Sequence, residues 1–311
     1  MKTSVGVIGL GNMGKGIAKN IAKGQHDLLV WDAVEEARTP FADTARIIEP
    51  AKMATVADIV IFVVPGSEQI EAMLGDMLLA AKSGLILWDF TTSDPTYTKR
   101  LAIQANDAGV AYMDAGMTGG GAKGADEGTM TLMIGGSEEI YERSRAVLDS
   151  CAGELIYLGP SGAGHTMKVV HNLITHTNFL ACSEAGRLAE AAGIDLADMI
   201  KVFNAGNARS FISERRFPDH ILSETWDGRS RIFNLRKDVG MAVELSKEVG
   251  SPMRIGHQTL AWLQAAVDAG MEDEDFTRLY PALGDLLKMH DNGDSTSTRP
   301  SIIGTSKDRD K

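Results

Sequence analysis

Hydrophobic positions follow two different patterns along the chain. Up to about residue 160, short apolar runs at 5–8, 28–31, 59–64, 85–88 and 111–113 alternate with helical periodicities near 13–23, 68–81 and 95–108. Runs that are apolar at successive positions must be covered on both faces, so the spacing predicts a parallel sheet between helical layers. Two more strands, at 129–134 and 155–158, enclose a helix at 138–151 and extend the sheet. After Gly164 no strand pattern remains. A proline-free helix spans about 165–191, and helices follow near 195–205, 211–222, 236–249, 256–270 and 275–289. An α/β half followed by an all-α half predicts two domains, residues 1–161 and 162–290. Residues 291–311, rich in Asp, Ser, Thr and Gly, read as a disordered tail.

The first strand runs into Gly9-Leu10-Gly11-Asn12-Met13-Gly14, a GxGxxG that opens a helix. Asp32 follows Gly14 by eighteen residues, at the end of the second strand. That context turns a weak pattern into the dinucleotide fingerprint of a Rossmann domain. Gly9 permits the tight turn, Gly11 lets the backbone approach a pyrophosphate, and Gly14 allows close helix–strand packing. Asp32 is placed to accept hydrogen bonds from both ribose hydroxyls. Ala33, Val34, Glu35 and Glu36 come next and offer no cation, while Arg38 is six residues on. The reading is NAD, with NADP disfavoured by its 2′-phosphate.

Residues 114–125 are crowded with glycine and alanine, and read as an open loop whose N–H groups face an anionic ligand rather than as a packing element. Further on, Gly162 and Gly164 lead into the long helix. There Met167, Val170, Ile174, Thr177 and Ala181 form a seam suited to packing. Lys168, Asn172, Thr175 and Phe179 lie on another stripe, and Lys168 and Asn172 are one turn apart on the same side. A lysine near a helix start, where the macrodipole disfavours cations, is expected to have a lowered pKa suited to acid–base work. His165, His171 and His176 have spacings that place no i, i+4 pair on one face, so no metal site is expected. His165 and His171 remain candidates for touching substrate. Arg209, Arg215 and Arg216 form a basic cluster in which one arginine could reach a second anionic group on it.

Charge and cysteine content narrow the classes further. Against 31 Lys+Arg stand 42 Asp+Glu, a formal net charge of −11, which disfavours nucleic acid and anionic membrane as partners. No apolar run is long enough to span a bilayer, and no signal-peptide pattern precedes the first strand. Two cysteines, Cys151 and Cys182, make no disulfide framework. The expectation is a cytoplasmic protein.

These motifs, in this order, resemble the β-hydroxyacid dehydrogenase family, which includes 3-hydroxyisobutyrate, tartronate semialdehyde, 4-hydroxybutyrate and sulfolactaldehyde reductases. The resemblance runs from Val5 to about Leu287. It rests on Gly6 to Gly14, on Val63-Val64-Pro65, and on Asp89-Phe90-Thr91-Thr92-Ser93-Asp94-Pro95. It rests also on Asp114 to Gly120, on Gly162, Gly164, Lys168 and Asn172 as Gly-x-Gly-x-x-x-Lys-x-x-x-Asn, and on Lys237-Asp238. The resemblance implies reversible hydride transfer between a nicotinamide cofactor and a small anionic hydroxy acid or semialdehyde. It assigns Lys168 as acid–base group and Asn172 as its orienting partner. Thr118, Gly119 and Gly120 would hold the substrate with Asn172. Leu10, Asn12, Met13, Val63, Val64, Pro65, Thr92 and Lys237 would join the cofactor site, and a homodimer or homotetramer would form through the helical domain. Four features depart from the family pattern. Gly116 replaces a proline, Thr118 a serine and His171 an asparagine, and the stretch between Gly120 and Gly128 is one residue longer. Imine reductases share the fold but typically lack the lysine supplied here by Lys168. A non-catalytic dinucleotide scaffold is the other alternative, and the presence of Lys168, Asn172 and Thr118 together speaks against it.

Overall fold

The computed structural model describes residues 2–293. Elements follow in the order β1 (Ser4–Ile8), α1 (Gly14–Lys23), β2 (Asp27–Trp31), α2 (Glu35–Arg38), β3 (Arg46–Ile47), α3 (Pro50–Ala54), β4 (Ile59–Phe62), α4 (Ser67–Ala80), β5 (Ile86–Asp89), α5 (Pro95–Asp107), β6 (Ala111–Thr118), α6 (Gly121–Glu127), β7 (Thr131–Gly135), α7 (Glu138–Cys151) and β8 (Glu154–Tyr157). The helical series continues with α8 (Ala163–Ala191), α9 (Leu196–Ala205), a π-helix at Ile212–Leu222, α10 (Ile232–Glu248), α11 (Arg254–Asp268) and α12 (Leu279–Gly293). The anticipated tail begins inside α12, which runs to Gly293; residues 294–311 lie outside the described residues.

The chain divides into two compact units. One comprises residues up to Ile174 together with Asp238–Pro252, and the other Thr175–Lys237 with the residues from Met253 onward. The sequence-based boundary lies at 161/162, whereas by compactness the first unit runs into α8 and takes in the end of α10.

In the first unit an eight-stranded sheet has the order β3-β2-β1-β4-β5-β6-β7-β8. All neighbours are parallel except β6 and β7, which pair antiparallel. Each face carries its own core. Val5, Val7, Ile17, Ile21, Trp88 and Leu148 belong to the core under α1 and α7, and Val60, Phe62, Leu74 and Leu101 to the core under α4 and α5. Complete burial on both sides explains why these strands read as unbroken apolar runs. The second unit packs aromatic rings, Phe179 on Phe276 at 4.9 Å and Phe217 on Tyr280 at 5.5 Å between centroids.

One expectation is corrected here. Residues 114–118 are not loop but the second half of β6, and residues 121–127 form α6. The small residues of α6 serve packing. A Cβ on Gly124 would strike the Gly119 carbonyl, Ala125 is fully buried, and a Cβ on Gly16 of α1 would come within 2.7 Å of the Ala125 backbone. Asn20 then donates to the Ala125 and Asp126 carbonyls at 2.8 and 3.2 Å, fixing α6 on α1. Between residues 114 and 125, only Gly119, Gly120 and Gly121 need glycine for their positive φ. Along α8, Met167, Val170 and Ile174 of the apolar seam are exposed at 37, 42 and 57%, so the seam is left uncovered in this chain, while the stripe bearing Asn172 and Phe179 is buried. A helix whose buried stripe carries polar groups departs from the ordinary apolar pattern.

Candidate functional site

One transverse line of the sheet organises the first unit's chemistry. Ile8 pairs with both Trp31 and Phe62, Phe62 with Asp89, Asp89 with Asp114, and Asp114 with Gly135. The predicted segments Gly9–Gly14, Asp32, Val63-Val64-Pro65 and Thr92 therefore leave the parallel strands at or just beyond one level. That edge, at the carboxyl ends of the strands where β1 neighbours both β2 and β4, is where open α/β sheets bind nucleotides.

A Cβ on Gly9 (φ +97°) would collide with the Val63 carbonyl, and one on Gly14 with the Gly9 carbonyl, so packing alone requires both glycines. Gly11 differs, because a Cβ there meets no atom within 4 Å. Glycine at that position leaves clear space in front of the loop, and so fits close approach by a dinucleotide pyrophosphate. Asp32 ties β2 to the loop by accepting from Leu10 N–H at 2.6 Å and Val34 N–H at 2.8 Å. Asn12 is exposed and Met13, Val63, Val64 and Thr92 are half-buried, leaving side chains available along the rim. The Arg38 guanidinium lies over the Trp31 ring at 4.4 Å, and its buried Nε has no hydrogen-bond partner among the described residues.

Asp89 and Asp114, both fully buried, shape the neighbouring strand ends. The Asp89 carboxylate accepts from Thr91 N–H, Ser93 Oγ and Tyr112 Oη at 2.8, 3.1 and 3.0 Å. Burial raises its pKa, opposed by His165 and the donors from Thr91 and Tyr112. Asp114 accepts from Gly162 N–H at 2.7 Å and His165 N–H at 3.0 Å, so it caps the start of α8. A Cβ on Gly164 would strike the Met133 carbonyl, and one on Gly135 would come within 2.7 Å of Asp114 Oδ1. The glycines before Lys168 thus bring α8 down onto β6 and β7. Gly116 completes that approach, since a Cβ there would lie 2.5 Å from Lys168 Cβ.

On α8, Asn172 is 6% exposed and donates from Nδ2 to Asp238 Oδ2 at 2.6 Å. Its Oδ1 lies 3.1 Å from His171 Nδ1, and His171 Nε2 lies 3.1 Å from Thr118 Oγ1. Lys168, half-buried, stands one turn before Asn172 on the same helix. The structure therefore connects Thr118 and Asn172 and sets Lys168 over Gly116, while Gly119 and Gly120 lie exposed at the strand end. Asp114, His171 and Asp238 complete this cluster; His171 was a candidate for touching substrate, while Asp114 and Asp238 had no role of their own in the sequence reading. The Asp that heads the small-residue stretch and the Asp after Lys237 were the available signals. His165 is a structural residue, fully buried between Thr98 Oγ1 at 2.7 Å and the Asp89 carbonyl at 3.1 Å. Lys237 falls in the second unit. There Arg209 and Arg215 pair with Glu214 and Asp219 on an exposed surface, and Arg216 is wedged against Phe211 and Phe276. Among the described residues, no group of three or more His, Cys, Asp or Glu could hold a metal ion, and no helix is long and apolar enough to cross a membrane.

The fold and loop define a dinucleotide-binding chain followed by a helical partner region. Residues 4–159 match the NAD-binding domain of 6-phosphogluconate dehydrogenase, and residues 162–283 the NAD-binding region of NADP-dependent 3-hydroxyisobutyrate dehydrogenase. The chain belongs to the β-hydroxyacid dehydrogenase family, a family of NAD-binding hydroxy-acid oxidoreductases. It is 30% identical to mitochondrial 3-hydroxyisobutyrate dehydrogenase of Bos taurus, over 91% of this chain and 87% of that protein. With 2-(hydroxymethyl)glutarate dehydrogenase of Eubacterium barkeri it shares 30% identity over 88% and 92%. A structure of Mycobacterium tuberculosis 3-hydroxyisobutyrate dehydrogenase with L-serine superposes with a TM-score of 0.83 at 26% identity, covering 91% of this chain and 99% of that one.

Proposed function

We propose that the protein is an NAD-dependent dehydrogenase that interconverts a small 3-hydroxy acid and its semialdehyde, with Lys168 as acid–base group. The observation that carries this reading is the cluster on α8: Lys168 over Gly116, and Asn172 pinned by Asp238 one turn later. Bound NAD supplies the hydride acceptor at the carbon being oxidised. As the C–H electron pair leaves that carbon, Lys168 Nζ takes the hydroxyl proton; in reduction it returns one to the carbonyl oxygen. Asn172, held at both ends of its amide, keeps its second N–H for orienting the substrate. Thr118 and the N–H groups of Gly119 and Gly120 hold the remainder of the substrate. Leu10, Asn12, Met13, Val63, Val64, Pro65 and Thr92 line the cofactor with the three glycines and Asp32. Lys168 sets this reading apart from an imine reductase. Incubating the protein with NADH and a panel of small semialdehydes tests it: oxidation of NADH by at least one is expected, and inertness towards all of them, with imines reduced instead, overturns it.

The anchored Asp32 carboxylate supports NAD over NADP. Two like charges ~4 Å apart repel by about 1–4 kcal/mol at effective dielectrics of 80 to 20, and the 2′-phosphate would face Asp32 at roughly that range. The expected preference for NAD is at least about tenfold in kcat/KM, or 1.4 kcal/mol. Asp32→Ser combined with Ala33→Arg should erode it. Equal efficiencies with both cofactors in the unmodified protein would sink the assignment.

The outward seam of α8, with Ile156 and Leu158 exposed on and just after β8, supports assembly as a homodimer or homotetramer. Light scattering at micromolar concentration should give a multiple of 33 kDa, and a stable monomer refutes the assembly. Cys151 and Cys182 are unpaired and buried, and burial pushes both thiols up to about 12, in keeping with a cytoplasmic setting.

A further inference from the structure

The hydrogen bonds linking Thr118, His171, Asn172 and Asp238 have a direction, and it is fixed from the Asp238 end. A carboxylate only accepts, so the Asn172 amide turns its NH₂ towards Asp238 and its oxygen towards His171. The opposite amide orientation would set two acceptor oxygens 2.6 Å apart. Because Asn172 Oδ1 only accepts, His171 Nδ1 carries a proton. In the neutral imidazole Nε2 is then an acceptor, and the Thr118 hydroxyl, 3.1 Å away, is its donor. A threonine hydroxyl has a single proton. Once that proton is committed to His171, Thr118 presents only lone pairs to a ligand. A substrate carboxylate, itself only an acceptor, is repelled at that point, whereas a hydroxyl that can donate is held.

We propose that His171 is a specificity-determining positioning residue: it takes the Thr118 proton and turns the Thr118 subsite into a hydrogen-bond acceptor, selecting 3-hydroxy acids that carry a second hydroxyl. The substrate's carboxylate is then left to the N–H groups of Gly119 and Gly120, which stand exposed with positive φ at the end of β6. This inference rests on the dehydrogenase reading for the claim that Thr118 touches substrate, but the polarity of the chain stands apart from it.

The test has two arms at pH 8. In the first, kcat and KM are measured for 3-hydroxypropanoate, 3-hydroxy-2-methylpropanoate and 2,3-dihydroxypropanoate, which differ only in hydrogen, methyl or hydroxyl at C2. The dihydroxy acid is expected to lead by about tenfold in kcat/KM, mainly through KM. His171→Leu frees the Thr118 proton and should reduce that lead below threefold by raising KM for the dihydroxy acid, with kcat moved far less. Thr118→Ser, which keeps the hydroxyl, should retain the lead, and Thr118→Val should lose it. In the second arm, long-range ¹H–¹⁵N correlation spectra of the full-length protein, assigned with His171→Leu, should show His171 protonated on Nδ1 with a bare Nε2. A lead that survives in His171→Leu, or no lead in the unmodified protein, overturns the proposal. So does the Nε2–H tautomer, whatever the turnover. If none of the three acids is oxidised and the semialdehyde panel is also inert, the dehydrogenase reading fails, and the tautomer alone then decides the polarity.

Discussion

Lys168→Ala is expected to lower turnover by roughly 10²–10⁴, the usual contribution of a positioned acid–base group, while the Kd for NAD changes little. In the proposed reaction the lysine acts on the hydroxyl proton, and in this structure it lies over Gly116 of β6 rather than on the glycine loop that would carry the nucleotide phosphates. Removing it therefore takes away proton transfer and leaves the Gly9–Gly14 turn and Asp32 untouched. Steady-state kinetics with the best semialdehyde, together with calorimetric titration of NAD, measures both quantities. A variant within threefold of the original turnover would show that another group moves the proton. A large loss of NAD affinity would place Lys168 against the cofactor instead.

Asp114→Ala is expected to destabilise the protein by about 2–4 kcal/mol and to lower kcat in the fraction that remains folded. The carboxylate is wholly buried and accepts from two backbone N–H groups at the start of α8. Its loss strands both donors away from water, at roughly 1–3 kcal/mol for each buried unsatisfied group. Asp114→Asn keeps the shape but turns an N–H₂ towards one of the two donors, so it should fall between the alanine variant and the original. Urea unfolding reads the difference as a shift of midpoint at constant slope. A change below about 0.5 kcal/mol would mean that water or a shifted helix start satisfies those groups. The kinetic effect follows from position, because the capped turn lies only a few residues before Lys168 on one continuous helix.

Local chemistry made much of the protein legible. The alternation of doubly buried strands with helices, the strand-to-helix context of Gly9-Leu10-Gly11-Asn12-Met13-Gly14, and Asp32 at the next strand end all depend on short stretches of chain, and each lies where the sequence placed it. Lys168 and Asn172 were also readable, because helical spacing alone puts them on one side of α8. What the sequence could not reveal depends on pieces far apart in the chain. The antiparallel reversal at β7 turned half of an expected loop into strand, since Asp114 to Thr118 pair with residues 131–135 and not with a near neighbour. Ala125 read as ligand-facing because its partners, Gly16 and Asn20, lie more than a hundred residues earlier. The seam of α8 was legible as apolar, but what covers it depends on segments far away in the chain, and Met167, Val170 and Ile174 stay exposed here. Arg38 came to Trp31 because the chain folds back after β2, a turn that residue counting does not show. The sequence by itself thus determined the glycine loop, the placing of Lys168 and Asn172 on one side of α8 and the order of the main strands and helices, all of which need only local backbone geometry. Tertiary structure alone decided that Asp114 caps α8, that Asp238 holds Asn172, and that His171 reaches Thr118. Those hydrogen bonds join residues 48 to 66 positions apart, and only the packing of α8 and α10 about the end of β6 brings them within 3.1 Å.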